Sequence, residues 1–115
     1  MAVLGNILWI ILGGGWAVAL LWCLAGILAC LSVIGLQWGR ACFVMAGFAF
    51  MPFGYEAVPR DILYGRPDIG TGLPGKLGNA IWFLLAGLWI ALGHVAAAIP
   101  LALSLIGLPF AWQHL

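Results

Sequence analysis

Every charged side chain of this 115-residue chain lies in one stretch. Arg40, Glu56, Arg60, Asp61, Arg66, Asp68 and Lys76 are flanked by two runs, residues 1–39 and 77–115, that carry no Asp, Glu, Lys or Arg. Each run exceeds the roughly 20 apolar residues that cross a hydrocarbon core of about 30 Å. Charged residues make up 6% of the chain and hydrophobic ones 66%, whereas a soluble domain carries roughly 25% charge. A domain this small has a large surface for its volume and needs polar groups to cover it. Seven charges do not suffice, so the chain reads as an all-α integral membrane protein whose first partner is the lipid bilayer. No Lys or Arg precedes the first run, which is also too long for a cleaved signal peptide, so it reads as a retained span.

The two runs resemble each other. Gly5-Asn6-Ile7-Leu8-Trp9 recurs as Gly78-Asn79-Ala80-Ile81-Trp82, and at the same offset of 73 Gly14 matches Gly87 and Trp16 matches Trp89. Ser32-Val33-Ile34-Gly35-Leu36 recurs as Ser104-Leu105-Ile106-Gly107-Leu108 at an offset of 72, one residue having been lost in between. Apolar letters match easily by chance in such a chain, but Asn, Trp, Ser and Gly in the same order do not. A tandem repeat follows, with a first copy at 5–54 and a second at 78–115. Residues 55–77 form a charged, Pro- and Gly-rich loop between them.

The shared residues read as helix punctuation. Asn6 and Asn79 are good N-cap types, Gly35 and Gly107 suit a left-handed position past a helix end, and Pro109 blocks continuation. They delimit spans at 6–35 and 79–107, each about 45 Å long as one helix. A helical hairpin within each run is the alternative. Gly13-Gly14-Gly15 comes early for a midpoint turn and Trp16 to Ala25 holds no turn former, which favours the continuous helix. Gly13, Gly14, Gly15, Gly26 and Ala29, with Ala86, Gly87, Gly93 and Ala97, supply small residues on which helices approach closely in lipid. Tryptophans near segment ends fit interfacial anchoring, whereas Trp22 and Trp89 fit packing or lipid contact.

Residues 38–50 are apolar but carry Arg40 beside an expected helix stop. That pattern suits a short interfacial helix with Arg40 reaching the headgroups. Arg40, Arg60, Arg66 and Lys76 place the segment 40–76 in the cytoplasm. The loop charges are balanced, with four basic and three acidic residues, so no nucleic-acid footprint is present.

Few residues invite chemistry. His94 is an ionisable group inside an apolar span, which needs a partner and marks a candidate polar contact; its match in the first copy is Leu21. A neutral imidazole bonded to a carbonyl or a neighbouring helix is the plainer reading. The recurring Asn6, Asn79, Ser32 and Ser104 are candidate pathway contacts, although capping and bonding back to helix carbonyls explains them at less cost. Glu56, Arg60 and Asp61 read as solvated loop charges. Cys23, Cys30 and Cys42 have neither disulfide nor metal-ligand spacing and read as buried free thiols. The glycine run is no phosphate loop, since no strand precedes it and no Lys-Ser/Thr follows. No catalytic constellation, cofactor or metal site is expected.

Asn6-Ile7-Leu8-Trp9, the pair Gly13-Gly14, Ile34-Gly35-Leu36 and Met51-Pro52-Phe53-Gly54 appear in order, and Asn79, Gly87 and Ile106-Gly107-Leu108-Pro109-Phe110 repeat them. These blocks resemble the YccF-type inner membrane protein domain family. The resemblance implies a small multi-pass protein of the bacterial inner membrane, built from a tandem domain, with no settled biochemical role. Gln37 departs from the proline usual there. The second copy stops at Leu115, matching only as far as Phe43, where relatives usually continue into a second Pro-Phe-Gly segment and often a basic tail; a truncated form is the expectation. With one span per repeat both termini lie outside, whereas a basic tail would prefer the cytoplasm and two crossings or a re-entrant hairpin per repeat. The two topologies stay open.

Two functional classes follow. The first is a homo-oligomeric channel or transporter for a small solute or ion, because two spans enclose little alone and Gly-rich faces suit self-assembly. The second is an accessory subunit packed against a larger membrane complex.

Overall fold

The computed structural model describes residues 1–68 and 70–115; Ile69, in the expected loop 55–77, lies outside the described residues. The described residues are helical or irregular, with no strand among them. Helices α1 (Ala2–Leu12) and α2 (Gly15–Leu31) are followed by a 3₁₀ turn at Val33–Gly35 and by α3 (Leu36–Phe50). A short α4 (Arg60–Tyr64) sits in the loop. Next, α5 (Leu73–Trp82) runs through a π-helical turn (Phe83–Gly87) into α6 (Leu88–Ala102), and α7 (Leu108–His114) follows.

The first apolar run is not one helix. α1 and α2 meet at 78°, which corrects the continuous helix expected over 6–35. The break lies at Gly13–Gly14, where Gly14 takes φ 74°, ψ 18°. That left-handed backbone is open to glycine and strained for other residues. The bend leaves α1 carbonyls without helical partners, and the packing described below supplies one.

The second run keeps its continuity. Leu73–Ala102 is a 30-residue helix whose most apolar 18 residues have a mean hydropathy of 1.9, long and apolar enough to cross a membrane. It starts six residues before Asn79, because Gly72 caps it and Pro74 fills its first turn; proline there loses no helical hydrogen bond. It ends at Ala102, short of the expected 107. The Phe83–Gly87 π turn stands where the first copy breaks: Gly87, the match of Gly14, has φ −58° and stays in the helix.

The 3₁₀ turn and α3 together make an 18-residue stretch, Val33–Phe50, of mean hydropathy 1.4, also able to cross by length and composition. This helix is longer than the one expected at 38–50. It packs antiparallel along α2, as the opposed pairs Gly26–Cys42 and Cys30–Gly39 indicate. A Cβ at Gly26 would lie 3.1 Å from Cys42 Cβ, and one at Gly39 would fall on Cys30 Sγ. Backbones this close are how small residues join helices in lipid.

Gly35 and Gly107 are not left-handed, with φ −85° and −80°. They are required by space instead: a Cβ would strike the carbonyl of Ala29 or Leu101 and the hydroxyl of Ser32 or Ser104. Both copies thus close the same tight turn after their second helical segment. Cys23, Cys30 and Cys42 are free thiols, and Cys42 is fully buried.

Candidate functional site

Trp9 is the largest side chain with almost no exposure, at 1%. It fills the inside of the α1–α2 bend, so closely that a Cβ at Gly13 or Gly15 would collide with its ring. Its indole N–H donates to the carbonyl of Ala49 near the end of α3 at 2.7 Å. Its ring lies 4.7 Å from the imidazole of His114 and 6.4 Å from Phe110, centroid to centroid. The bend therefore wraps an aromatic plug that also receives α7.

His114 is 6% exposed. Its Nε2 stands 2.7 Å from the carbonyl oxygen of Gly13 and its Nδ1 stands 3.2 Å from Nδ1 of His94. A carbonyl oxygen only accepts, so His114 carries its proton on Nε2 and donates it to Gly13, one of the orphaned C-terminal groups of α1. In a neutral imidazole Nδ1 is then the acceptor, and it takes the bond from His94. A hydrogen-bonded line thus runs from His94 through His114 to the broken helix end. Beside it opens a cleft of about 320 Å³, lined among others by Trp22, Ile90, Ala91, His94 and His114.

His94 is half-buried in α6 and its described partner is a second histidine. His114 is not among the residues singled out from the sequence, where it lies beyond the expected span at the end of the second run. The repeat held one signal. At the offset of 72 His114 takes the place of Cys42, and both positions are buried.

The other sequence candidates sit elsewhere. Asn6 is inside α1, whose N-cap is Met1. Its side chain grips one residue from both sides, donating to the carbonyl of Phe53 and accepting from the N–H of Phe53, each at 2.9 Å. Asn79 is inside α5 and exposed, and accepts one long bond of 3.4 Å from Trp38 Nε1. Neither is an N-cap, because the one binds a distant backbone segment and the other a distant indole. Ser32 and Ser104 bond to carbonyls three residues back, Ala29 and Leu101, at the two tight turns. Arg40 is exposed on α3. None of these four polar residues, nor Arg40, lines the histidine cleft. In the loop Arg60 approaches Asp68 at 3.9 Å, an exposed pair of the kind that adds little stability. Among the described residues no three His, Cys, Asp or Glu come together as a metal-ligand group.

The family profile described as the YccF inner membrane component domain matches residues 4–55 and 77–115. Inner membrane protein YccF of Escherichia coli (strain K12) is 31% identical over 105 residues, which cover 90% of this chain and 70% of that protein. The protein of the same name from Shigella flexneri gives the same values. No solved structure matches the chain significantly. Two matched segments join a continuous relationship along nine-tenths of the sequence, and the chain belongs to the YccF inner membrane component domain family.

Proposed function

We propose that the chain assembles with copies of itself into a channel or transporter that carries a small solute or ion across the inner membrane. The observation that carries this reading is the broken helix at Gly13–Gly14, its freed carbonyl held by a buried imidazole whose neighbour lines an open cleft. Within hydrocarbon, irregular backbone persists only where protein satisfies it or where it borders a wet cavity. Discontinuous helices and intramembrane ionisable side chains are the parts from which transport sites are built. One chain of this size has too few crossings to surround a pathway, so copies must complete it. The four basic residues of segment 40–76 favour a cytoplasmic loop by the positive-inside tendency.

The second reading is an accessory subunit without transport activity. It draws on the helix Leu73–Ala102, of whose most apolar 18 residues only 11% are buried within the chain; a larger membrane protein would cover that face as well as lipid or a second copy would.

Size determination in mild detergent separates the two. A defined homo-oligomer is expected; co-purification with a stoichiometric unrelated membrane protein would replace the first reading with the second. Flux of small ions through reconstituted liposomes, reduced by His94→Leu, is the direct test. Flux no greater than that of empty liposomes would end the transport reading. Labelling of a cysteine introduced at Tyr55 from the cytoplasmic side checks the loop, and periplasmic labelling would reverse its placement.

A further inference from the structure

His94 Nδ1 and His114 Nδ1 stand 3.2 Å apart. Two nitrogens bound to one tetrahedral metal ion, with metal–nitrogen bonds of about 2.0–2.1 Å, lie about 3.3 Å from each other. The pair is therefore already spaced as two ligands of a single ion.

The protons are placed to match. The Gly13 carbonyl fixes the proton of His114 on Nε2, leaving the Nδ1 lone pair directed at its neighbour. A backbone carbonyl on the far nitrogen is the usual means by which a metal-ligating histidine is held in one tautomer. That carbonyl also terminates α1, an eleven-residue helix, and a helix C-terminus carries a partial negative charge that favours a cation beside it. The adjoining cleft of about 320 Å³ has room for further ligands, which the chain itself does not provide within the described residues.

We infer that His94 and His114 form a two-nitrogen site for a transition-metal cation of the imidazole-binding class, such as Zn²⁺ or Cu⁺, reached from the cleft and completed there by water or an anion. As an identification of the transported solute, the inference rests on the transport reading above; as a binding site, it stands by itself. Without a metal the Nδ1–H of His94 bridges the two rings. On binding, that proton leaves Nδ1 and one is taken up on Nε2 of the same ring, while both Nδ1 lone pairs pass to the metal. Neutral imidazoles remain neutral, no proton is released overall and no redox change occurs. Imidazole suits zinc and copper, while magnesium and calcium prefer oxygen, so the site discriminates against the latter two.

The test is equilibrium binding of Zn²⁺ and of Cu⁺ to the purified chain in detergent, alongside His94→Gln and His114→Gln. Saturable binding of at least one ion, weakened about tenfold or more in each variant, is the expected result, with Mg²⁺ failing to compete. X-ray absorption at the bound metal should show nitrogen ligands at about 2.0 Å. Absence of binding by both ions, or binding equally strong in H94Q, would overturn the site. H94Q decides the matter should H114Q misfold, since the described hydrogen bond of His94 is to His114 and not to backbone. Binding in detergent without metal flux in liposomes would leave the site intact and remove the metal as the transported solute. Flux of other small ions without metal binding would remove the site and leave the transport reading.

Discussion

The indole of Trp9 donates to the carbonyl of Ala49 at 2.7 Å, a bond across 40 residues that fastens the first limb of the chain to the far end of α3. Ala49 lies in the last turn of α3, whose final carbonyls have no helical donors. Trp9→Phe keeps most of the ring and removes the donor, leaving that buried oxygen unpaired at a cost of about 1–3 kcal/mol. Trp9→Ala also empties the bend and should cost about 3–5 kcal/mol. Thermal unfolding in detergent micelles, followed by helical circular dichroism, gives the ranking. Equal losses in the two variants would mean that the hydrogen bond, and not the ring, holds the bend.

The two repeated asparagines should behave differently despite matching in sequence. Asn6 makes two bonds of 2.9 Å to the backbone of Phe53, whereas Asn79 makes one exposed bond of 3.4 Å. Asn6→Ala strands a donor and an acceptor of the 52–54 segment, a loss of about 2 kcal/mol on the ordinary scale for part-buried bonds. Asn79→Ala should stay within about 0.5 kcal/mol of the parent. Denaturant titration of the two single variants tests the contrast, and comparable losses would contradict it.

Gly14 and Gly87 are likewise matched, yet only one is conformationally special. Gly14→Ala forces a Cβ into left-handed backbone at φ 74°, costing roughly 1–2 kcal/mol. Gly87 is helical, and a Cβ there meets Phe83 no closer than 3.5 Å. Gly87→Ala should therefore be neutral or stabilise by up to about 1 kcal/mol through helix propensity. Melting temperatures of the pair provide the comparison; a destabilised G87A would show that the π turn needs its glycine.

Thiol reactivity reports the α2–α3 seam. Cys42 is 1% exposed, whereas Cys23 and Cys30 are partly exposed. In detergent, a small maleimide should modify Cys23 and Cys30 first, with Cys42 reacting only after denaturation. Mass spectrometry after timed quenching reads the order. Early modification of Cys42 would mean that the two helices separate readily.

Much of the architecture was legible in the residues because two of its causes are local. Charge confined to the middle marks the apolar runs, and Asn, Trp, Ser and Gly in matched order mark their likeness in sequence. The bend was not legible. Three glycines in an apolar run read equally well as a packing face, and what selects the break is distant: Trp9 filling the corner and His114, 101 residues away in sequence from Gly13, holding the carbonyl. The asparagines misled for the same reason, since their amides bind partners 47 and 41 residues off and not the nearest helix end. Of the histidine pair only His94 stood out, because it interrupts a span. His114 follows the tight turn, and its burial depends on α7 folding back against α6 and the α1–α2 corner.

The same joint, bent in the first of the two similar runs and straight in the second, makes the pair chemically lopsided. A two-fold axis relating the halves would have to exchange a folded corner with an unbroken rod, and a cysteine with a histidine. Any passage bordered by both halves of one chain therefore presents unlike walls to whatever moves along it. Reversing direction through such a passage is not equivalent to reversing the molecule.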